Sequence, residues 1–287
     1  MRFSTPLRYP GGKGRLANYI AEILEMNELV GGGYSEPFCG GAGIALSLLY
    51  AEKVNHIYLN DVDRAVYAFW HTAIHENERL CKLIKDTPVN MDTWLRQKEV
   101  QNHKETADLV DLGFSTFFLN RTNRSGILNA GVIGGKEQKG EWKIDARFKK
   151  ENLIDRIELL GYYSNNIDIT NIDVLEFIDK KTPKMPANTL IYFDPPYFKK
   201  GQKLYQNHFA GDDHANLAQK IKRSVSQPWI VSYDNVPQIA ALYSDCEQEA
   251  FTLNYSANLH TRGSELMVFK DEIDAPSRIY TSRQMVA

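Results

Sequence analysis

Apolar positions along this chain switch between helical and strand rhythm. Between residues 13 and 29, Leu16, Tyr19, Ile20, Ile23 and Leu24 fall at helical spacing, which predicts an amphipathic helix with one face in the core. Tyr34-Ser35-Glu36-Pro37-Phe38 then runs into Gly40-Gly41-Ala42-Gly43, followed by the apolar stretch 44–49. That order reads as strand, tight turn and helix. Residues 56–61 predict a short strand ending in the acid Asp61, and a strand-helix-strand opening of this kind is typical of a nucleotide-binding α/β sheet. Helical spacing dominates from Arg64 to about Leu119, with a break at Pro88. The alternation resumes near Ile167, with strands expected at 167–169, 189–194 and 229–233 and a helix at 174–178. Residues 249–253 and 265–269 are expected to close the sheet as a hairpin-like pair.

The segment between these two α/β stretches changes character. Residues 120–150 are rich in Gly, Asn, Lys and Arg, with eight basic residues against three acidic ones. We read it as an exposed basic insert with hairpin-like elements, and Trp142 as a structural anchor at the foot of the hairpin. The whole chain carries a net charge of −2, so a nucleic-acid partner has to be held by a local patch of this kind. With 287 residues, 43% of them hydrophobic, the chain can build one large domain or one domain carrying a smaller insert. Three widely spaced cysteines and the absence of zinc-like Cys/His pairing argue against a disulfide framework and a metal site. No apolar run reaches the ~18 residues of a membrane span, and the first residues lack a signal-peptide core, so a cytoplasmic location is expected.

The strongest candidate chemistry is Asp194-Pro195-Pro196-Tyr197, at the end of an apolar strand. Ligands of open α/β sheets bind outside the carboxyl ends of strands. Two prolines fix the backbone and remove two N–H donors, leaving a carboxylate and a rigid carbonyl as acceptors beside an aromatic ring. An adenine N6 amine requires this: its lone pair is delocalised into the ring, and two acceptors holding its hydrogens would aim that lone pair at a methyl sulfonium. Tyr197 could stack on a base rotated out of its duplex. A strand followed by a Pro-Pro turn with a capping Asp is the bland alternative, weakened here by the glycine turn upstream. That turn lets backbone approach a ligand closely but lacks GxGxxG spacing, which disfavours a nicotinamide enzyme. Asp61 is placed to accept from ribose hydroxyls; capping the next helix is its alternative role, one that Asp63 fills equally well. Pro10-Gly11-Gly12-Lys13 forms a turn before a helix that could suit an anion, though from this segment alone a surface turn with a solvated Lys is the better reading.

In this order the motifs resemble those of the D12-class, or Dam-like, α-group adenine-N6 DNA methyltransferases, over nearly the whole chain from Tyr9 to Phe269. The resemblance implies a Rossmann-like methyltransferase sheet, mostly parallel with an antiparallel closing strand, plus a small, mainly helical target-recognition insert. It implies an S-adenosylmethionine-binding catalytic domain at 1–63 and 166–275, an insert at 64–165 with its basic segment at about 120–150, and a tail at 276–287. Tyr9 and Lys13 match the N-terminal motif that contacts the methionine part of S-adenosylmethionine, Phe38 and Gly40 the FxG core, and Asp61 the ribose-binding acid. Asp173 resembles the acid facing the cofactor's adenine. Asp194, Pro195, Pro196 and Tyr197 match the catalytic motif, with Asp194 also at the cofactor. Tyr205, His208 and Phe209 resemble a segment shaping the adenine pocket, and Ser232-Tyr233-Asp234-Asn235 the strand-end motif beyond it. Ala42 departs from the family's FxGxG spacing, which has glycine there.

Double-stranded DNA is the implied partner, with Arg121, Arg124, Lys136, Lys139 and Lys143 as candidate phosphate or base-edge contacts. Similarity to GATC-specific members fades after Gly126, so that target is not carried over. A cognate restriction enzyme is a candidate partner; restriction-paired, orphan, phage and defence-associated enzymes share these motifs. The rival readings are an RNA adenine-N6 methyltransferase, a cytosine-N4 enzyme, which more often has serine in place of Asp194, and an idle nucleic-acid-binding relic of the fold.

Overall fold

The computed structural model describes residues 5–9, 12–198, 209, 211–254 and 262–279. Tyr205, His208, Pro10 and Gly11 lie outside the described residues. The chain divides into two compact units, Lys13–Val62 with Ile172–Ala287, and Met1–Gly12 with Asp63–Asn171.

Of seven strands among the described residues, six belong to the first unit: β1 (Gly33–Glu36), β2 (His56–Asn60), β4 (Thr189–Phe193), β5 (Trp229–Asp234), β6 (Glu247–Asn254) and β7 (Arg262–Phe269). The remaining one, β3 (Ile167–Thr170), falls in the second unit. The six run in the order β2-β1-β4-β5-β7-β6. The first four are parallel, with Tyr34 opposite both Ile57 and Leu190, and Ile191 opposite Trp229. β7 runs antiparallel to β5 and to β6, placing Asp234 opposite Glu265. The expected closing hairpin is therefore present.

β1, β4 and β5 are buried along their whole length, which explains why β4 and β5 read as mostly apolar runs rather than as alternating ones. Ile191, Phe193, Val231 and Tyr233 pack with Phe177 and Ile178 of α8 (Val174–Lys180) and with Leu217 and Ile221 of α9 (Gly211–Ser224). A β-carbon on Gly33 would sit 2.6 Å from Thr189 Oγ1 and 3.1 Å from the Tyr58 ring, so glycine is what lets β4 and the Tyr58 side chain close on β1. Helices α1 (Ala17–Met26), α2 (Gly43–Tyr50) and α10 (Pro237–Leu242) complete the unit. The chain leaves β1 toward β2 on one side, while β4 lies on the other. At such a reversal the connections diverge and open a crevice at the carboxyl ends of the strands.

The second unit is helical: α3 (Arg64–His75), α4 (Asn77–Asp86), α5 (Met91–Asn102), α6 (Leu109–Thr122) and α7 (Lys150–Tyr162). Asp63, Asn90 and Asp108 cap α3, α5 and α6 by accepting from first-turn N–H groups. α6 is buried almost all round, its Phe117 ring stacked 5.9 Å from Phe69 and its Phe118 ring 5.3 Å from Phe148. The hairpin expected within 120–150 is reduced to one bridge between Asn123 and Val132. The Asn123 amide instead donates to the carbonyls of Ile127 and Leu128, and Gly134 and Gly135 turn the chain at positive φ, so side-chain-to-backbone bonds replace a ladder. Trp142 is 61% exposed, which corrects its reading as an anchor. No helix among the described residues is long and apolar enough to cross a membrane.

α3 and α6 meet at Gly113, where a β-carbon would lie 2.5 Å from the Ala68 carbonyl oxygen and 2.3 Å from Thr72 Oγ1. Backbone cannot yield as a flexible side chain can. Gly113→Ala is expected to lower the unfolding free energy by about 1–3 kcal/mol, read as a drop in denaturation midpoint. An unchanged midpoint would show that the helices separate without cost.

Candidate functional site

β4 ends at Phe193, and the next residue, Asp194, stands at the carboxyl edge of the sheet beside the end of β1, at the reversal of strand order. Its carboxylate is held from one side. Lys13 Nζ donates to Asp194 Oδ1 over 3.0 Å, and Ser232 Oγ donates to the same oxygen over 2.9 Å. Ser232 in turn shares a 2.7 Å hydrogen bond with Tyr192 OH. Among the described residues no hydrogen bond is made to Oδ2, and the side chain is 26% exposed. One oxygen is thus a structural acceptor, and the carboxylate as a whole is partly open to solvent.

The lysine is itself fixed from below. Its ammonium also donates to Glu265 Oε2 at 3.2 Å and to Tyr197 OH at 3.2 Å, while Tyr197 OH donates to Glu265 Oε1 at 3.0 Å. Lys13 and Glu265 side chains are each 2% exposed, and Tyr197 is 7% exposed. Three acceptors therefore converge on a group with three N–H donors. An ammonium in such a place would be prohibitively costly alone; two carboxylates and a phenol compensate its lost hydration. Among the described residues Lys13 is the cation that pairs with both carboxylates, of which Asp194 is partly open to solvent and Glu265 is not.

A third carboxyl group is nearby in the same unit. Glu36, the last residue of β1, is buried and accepts from Ala45 N at 3.0 Å at the start of α2. Burial pushes its pKa up to about 8; the Ala45 hydrogen bond opposes the shift, and the charge of Asp194 adds to it. The shift favours the neutral acid form of Glu36, which spares the site a further negative charge beside those of Asp194 and Glu265.

The turn after β1 is narrow. Gly40 N donates to Asp61 Oδ2 at 2.9 Å, so the acid at the end of β2 pins the glycine turn. Gly40 and Ala42 both take left-handed conformations, at φ 43° and φ 45°. Ala42, where the family's spacing has glycine, therefore adopts the conformation that a β-carbon disfavours by about 1–2 kcal/mol. Phe38 packs edge-on to Phe209 at 6.0 Å, and Phe209 lies 5.3 Å from the His214 ring. His214 Nδ1 bonds Tyr233 OH at 3.1 Å, and burial lowers its pKa, keeping it neutral. Phe198 N donates to Asp234 Oδ1 at 2.8 Å, tying the stretch after Tyr197 to the end of β5.

The sheet unit thus gathers Lys13, Phe38, Gly40, Asp61, Asp194 and Tyr197. Tyr9 lies in the helical unit, half-buried, its carbonyl accepting from Gly12 N. Asp173 is exposed and caps α8 through Leu175 N at 2.8 Å. Asp63 caps α3, the role weighed earlier for Asp61. In the helical unit Arg124, Lys136, Lys139 and Lys143 are exposed, with Lys139 paired to Glu137 and Lys143 donating to the Gln138 carbonyl. Arg121 differs: it is buried. Glu265, Glu36 and His214 escaped the sequence reading. The signal for Glu265 was an acid directly preceding the apolar run Leu266-Met267-Val268-Phe269, which looks like an ordinary strand entry.

A carboxyl whose folded pKa exceeds its unfolded value stabilises the fold below about 4.5 and loses that contribution as pH rises through about 8. Relative to Glu36→Gln, which stays neutral, the wild-type melting temperature should therefore fall steadily between those two values. Parallel curves for the two proteins would mean that Glu36 is ionised in the fold.

A family model described as D12 class N6 adenine-specific DNA methyltransferase matches residues 9–259. No curated protein shows significant similarity to the chain. Among solved structures, the rRNA methyltransferase aviRa from Streptomyces viridochromogenes is 14% identical at a TM-score of 0.38, covering 91% of this chain and 86% of that one. The putative methyltransferase yhhF from Escherichia coli is 10% identical at a TM-score of 0.35, covering 89% and 85%. At such identities and scores neither similarity says what this chain acts on.

Proposed function

The chain belongs to the D12 class of N6 adenine-specific DNA methyltransferases, and we propose that it methylates the N6 amine of an adenine rotated out of duplex DNA, at a specific sequence, on the acceptors of Asp194-Pro195-Pro196-Tyr197. The observation that carries this reading is the state of Asp194: one oxygen is anchored by Lys13 and Ser232, and the carboxylate is partly open at the strand-order reversal. An anchored carboxylate does not have to reorganise when an amine arrives, which is where fixed acceptors gain over water.

The family implies S-adenosylmethionine, and the residues present fit it. A glycine turn held narrow by Asp61, an acid at the end of β2, and the Phe38–Phe209 pair offer a backbone cradle, a hydroxyl acceptor and an apolar wall. Phe38, Gly40 and Asp61 would hold it, with Tyr9, Lys13 and Asp173 as further contacts proposed from the family motifs. When bound, S-adenosylmethionine supplies an electrophilic methyl group on a sulfonium.

The chain's own residues then have definite tasks. Asp194 Oδ2 and the Pro195 carbonyl accept the two amine hydrogens and draw the nitrogen out of conjugation. Pro196 keeps that carbonyl rigid. Tyr197, its hydroxyl fixed by Lys13 and Glu265, gives the flipped base a wall that does not move. Transfer is direct, and the amine gives up one proton toward the Asp194 carboxylate. In the helical unit, Arg124, Lys136, Lys139 and Lys143 face solvent and are available to phosphates and base edges.

Incorporation of tritium from labelled cofactor into duplex DNA, with an RNA of matching sequence as control, tests the reading. Duplex DNA should be labelled and RNA not. Asp194→Ala should abolish incorporation while changing cofactor affinity by less than about tenfold, ~1.4 kcal/mol. Wild-type-like turnover in that variant would defeat the assignment.

A further inference from the structure

The helical unit contains a cluster of like charges that its own fold does not neutralise. Arg121, in the last turn of α6, is only 9% exposed. Its Nη2 donates to the Pro6 carbonyl, and Arg156 Nη1 of α7 donates to the neighbouring Thr5 carbonyl at 3.0 Å. Arg8 follows two residues on, its backbone bonded in both directions to the Asn120 side chain, at 2.8 and 2.9 Å. Arg147 joins from the basic segment, its guanidinium 5.9 Å from the Trp142 ring centroid. Two arginines from distant parts of the sequence, Arg121 and Arg156, are thus bonded to the short stretch 5–8, which carries Arg8 itself, and Arg147 stands by.

Among the described residues none of the four arginines forms an ion pair with an acid. The charges acting on Arg121 are those of Arg156, Arg8 and Arg147; together with burial, the larger cause, they bring its pKa down to about 9. Arg8 is likewise depressed by burial and by Arg147. Arg121 Nε and Arg8 Nη1 are buried and have no hydrogen-bond partner among the described residues. Buried donors are rarely left unmade, and charges of one sign rarely gather unpaired, unless a ligand completes the site. Helix polarity at the end of α6 offsets a small part of the repulsion.

We propose that Arg8, Arg121, Arg147 and Arg156 form the principal anchor for a backbone phosphodiester of the DNA substrate, in preference to the exposed lysines 136, 139 and 143. This rests on the methyltransferase reading above. Guanidinium forks match phosphate oxygens two at a time. Exposed Arg147 and half-buried Arg8 and Arg156 make the contact, while Arg121 lies beneath them, where solvent screens its charge least. Each of the three lysines is fully solvated, and two of them already have local acceptors. The exposed Trp142 ring, beside Arg147, extends the anchor with a flat apolar face.

The test is anisotropy of the full chain with a labelled duplex across a salt series. Arg147→Gln/Arg156→Gln should bind at least about tenfold more weakly, with a log–log salt slope shallower by about 0.9 per lost phosphate contact. Arg147→Gln alone, at an exposed position that cannot unfold the unit, should show an intermediate loss, and Arg147→Lys should recover part of it. Lys136→Gln/Lys139→Gln/Lys143→Gln should lose less than the arginine double variant. The proposal fails if the arginine double variant keeps wild-type affinity and slope, or if the lysine variant loses more. It also fails if inorganic phosphate raises the wild-type melting temperature while duplex binding ignores the arginines, since the cluster would then take a small anion. A wild-type chain that binds no duplex would instead overturn the underlying reading.

Discussion

The site depends on one buried ammonium. Lys13 sits where water cannot compensate it, and it is stable there because Asp194, Glu265 and Tyr197 surround it. Removing one partner of such an arrangement leaves an uncompensated charge, so each member constrains the others. The consequence for chemistry is that Asp194 is not a free side chain. One of its oxygens is held by Lys13 and Ser232, which fixes where the other stands. Glu36, kept neutral by burial, avoids a competing negative charge in the same unit.

What brings these groups together is the sheet. The order β2-β1-β4-β5 places the ends of β1 and β4 side by side at the reversal, so the glycine turn and Asp194 share one edge. β7, inserted antiparallel beside β5, sets Glu265 opposite Asp234 and brings it to the same end. Gly33 leaves room for the Thr189 and Tyr58 side chains where β4 and β2 close on β1. Fold and site are therefore one problem: shifting β7 by one residue would turn Glu265 to the other face, away from Lys13.

Much of this was legible in the sequence, for physical reasons. The strands are short apolar runs ending in Asp61 and Asp194, and the helical stretch after Arg64 follows its period closely. The strand-ending motifs carried their own chemistry in combination, since a glycine turn, Asp61 and Asp194-Pro195-Pro196-Tyr197 at successive strand ends are less easily explained as turns and caps than any one of them alone. Glu265 was not legible because its place is set by the antiparallel pairing of β7 with β5 and its partner Tyr197 lies 68 positions away, which no local pattern encodes. The basic segment was misjudged as a hairpin: its glycines and asparagines were read as turn signals between strands, whereas Asn123 uses its amide to hold a strandless loop. The arginine cluster was hidden for the same reason as Glu265, its members being scattered between residues 8 and 156.

The central claim is that Glu265 positions Asp194 through Lys13, and a double-mutant cycle on turnover addresses it directly. Single-turnover rates at saturating cofactor and duplex are compared for wild type, Lys13→Met, Glu265→Gln and the double variant, with melting temperatures taken alongside. The account predicts that Glu265→Gln slows transfer by about tenfold or more, ~1.4 kcal/mol, with little change in cofactor affinity, and that the double variant is no slower than Lys13→Met alone. Strictly additive losses, or a Glu265→Gln enzyme with the wild-type rate, would contradict it.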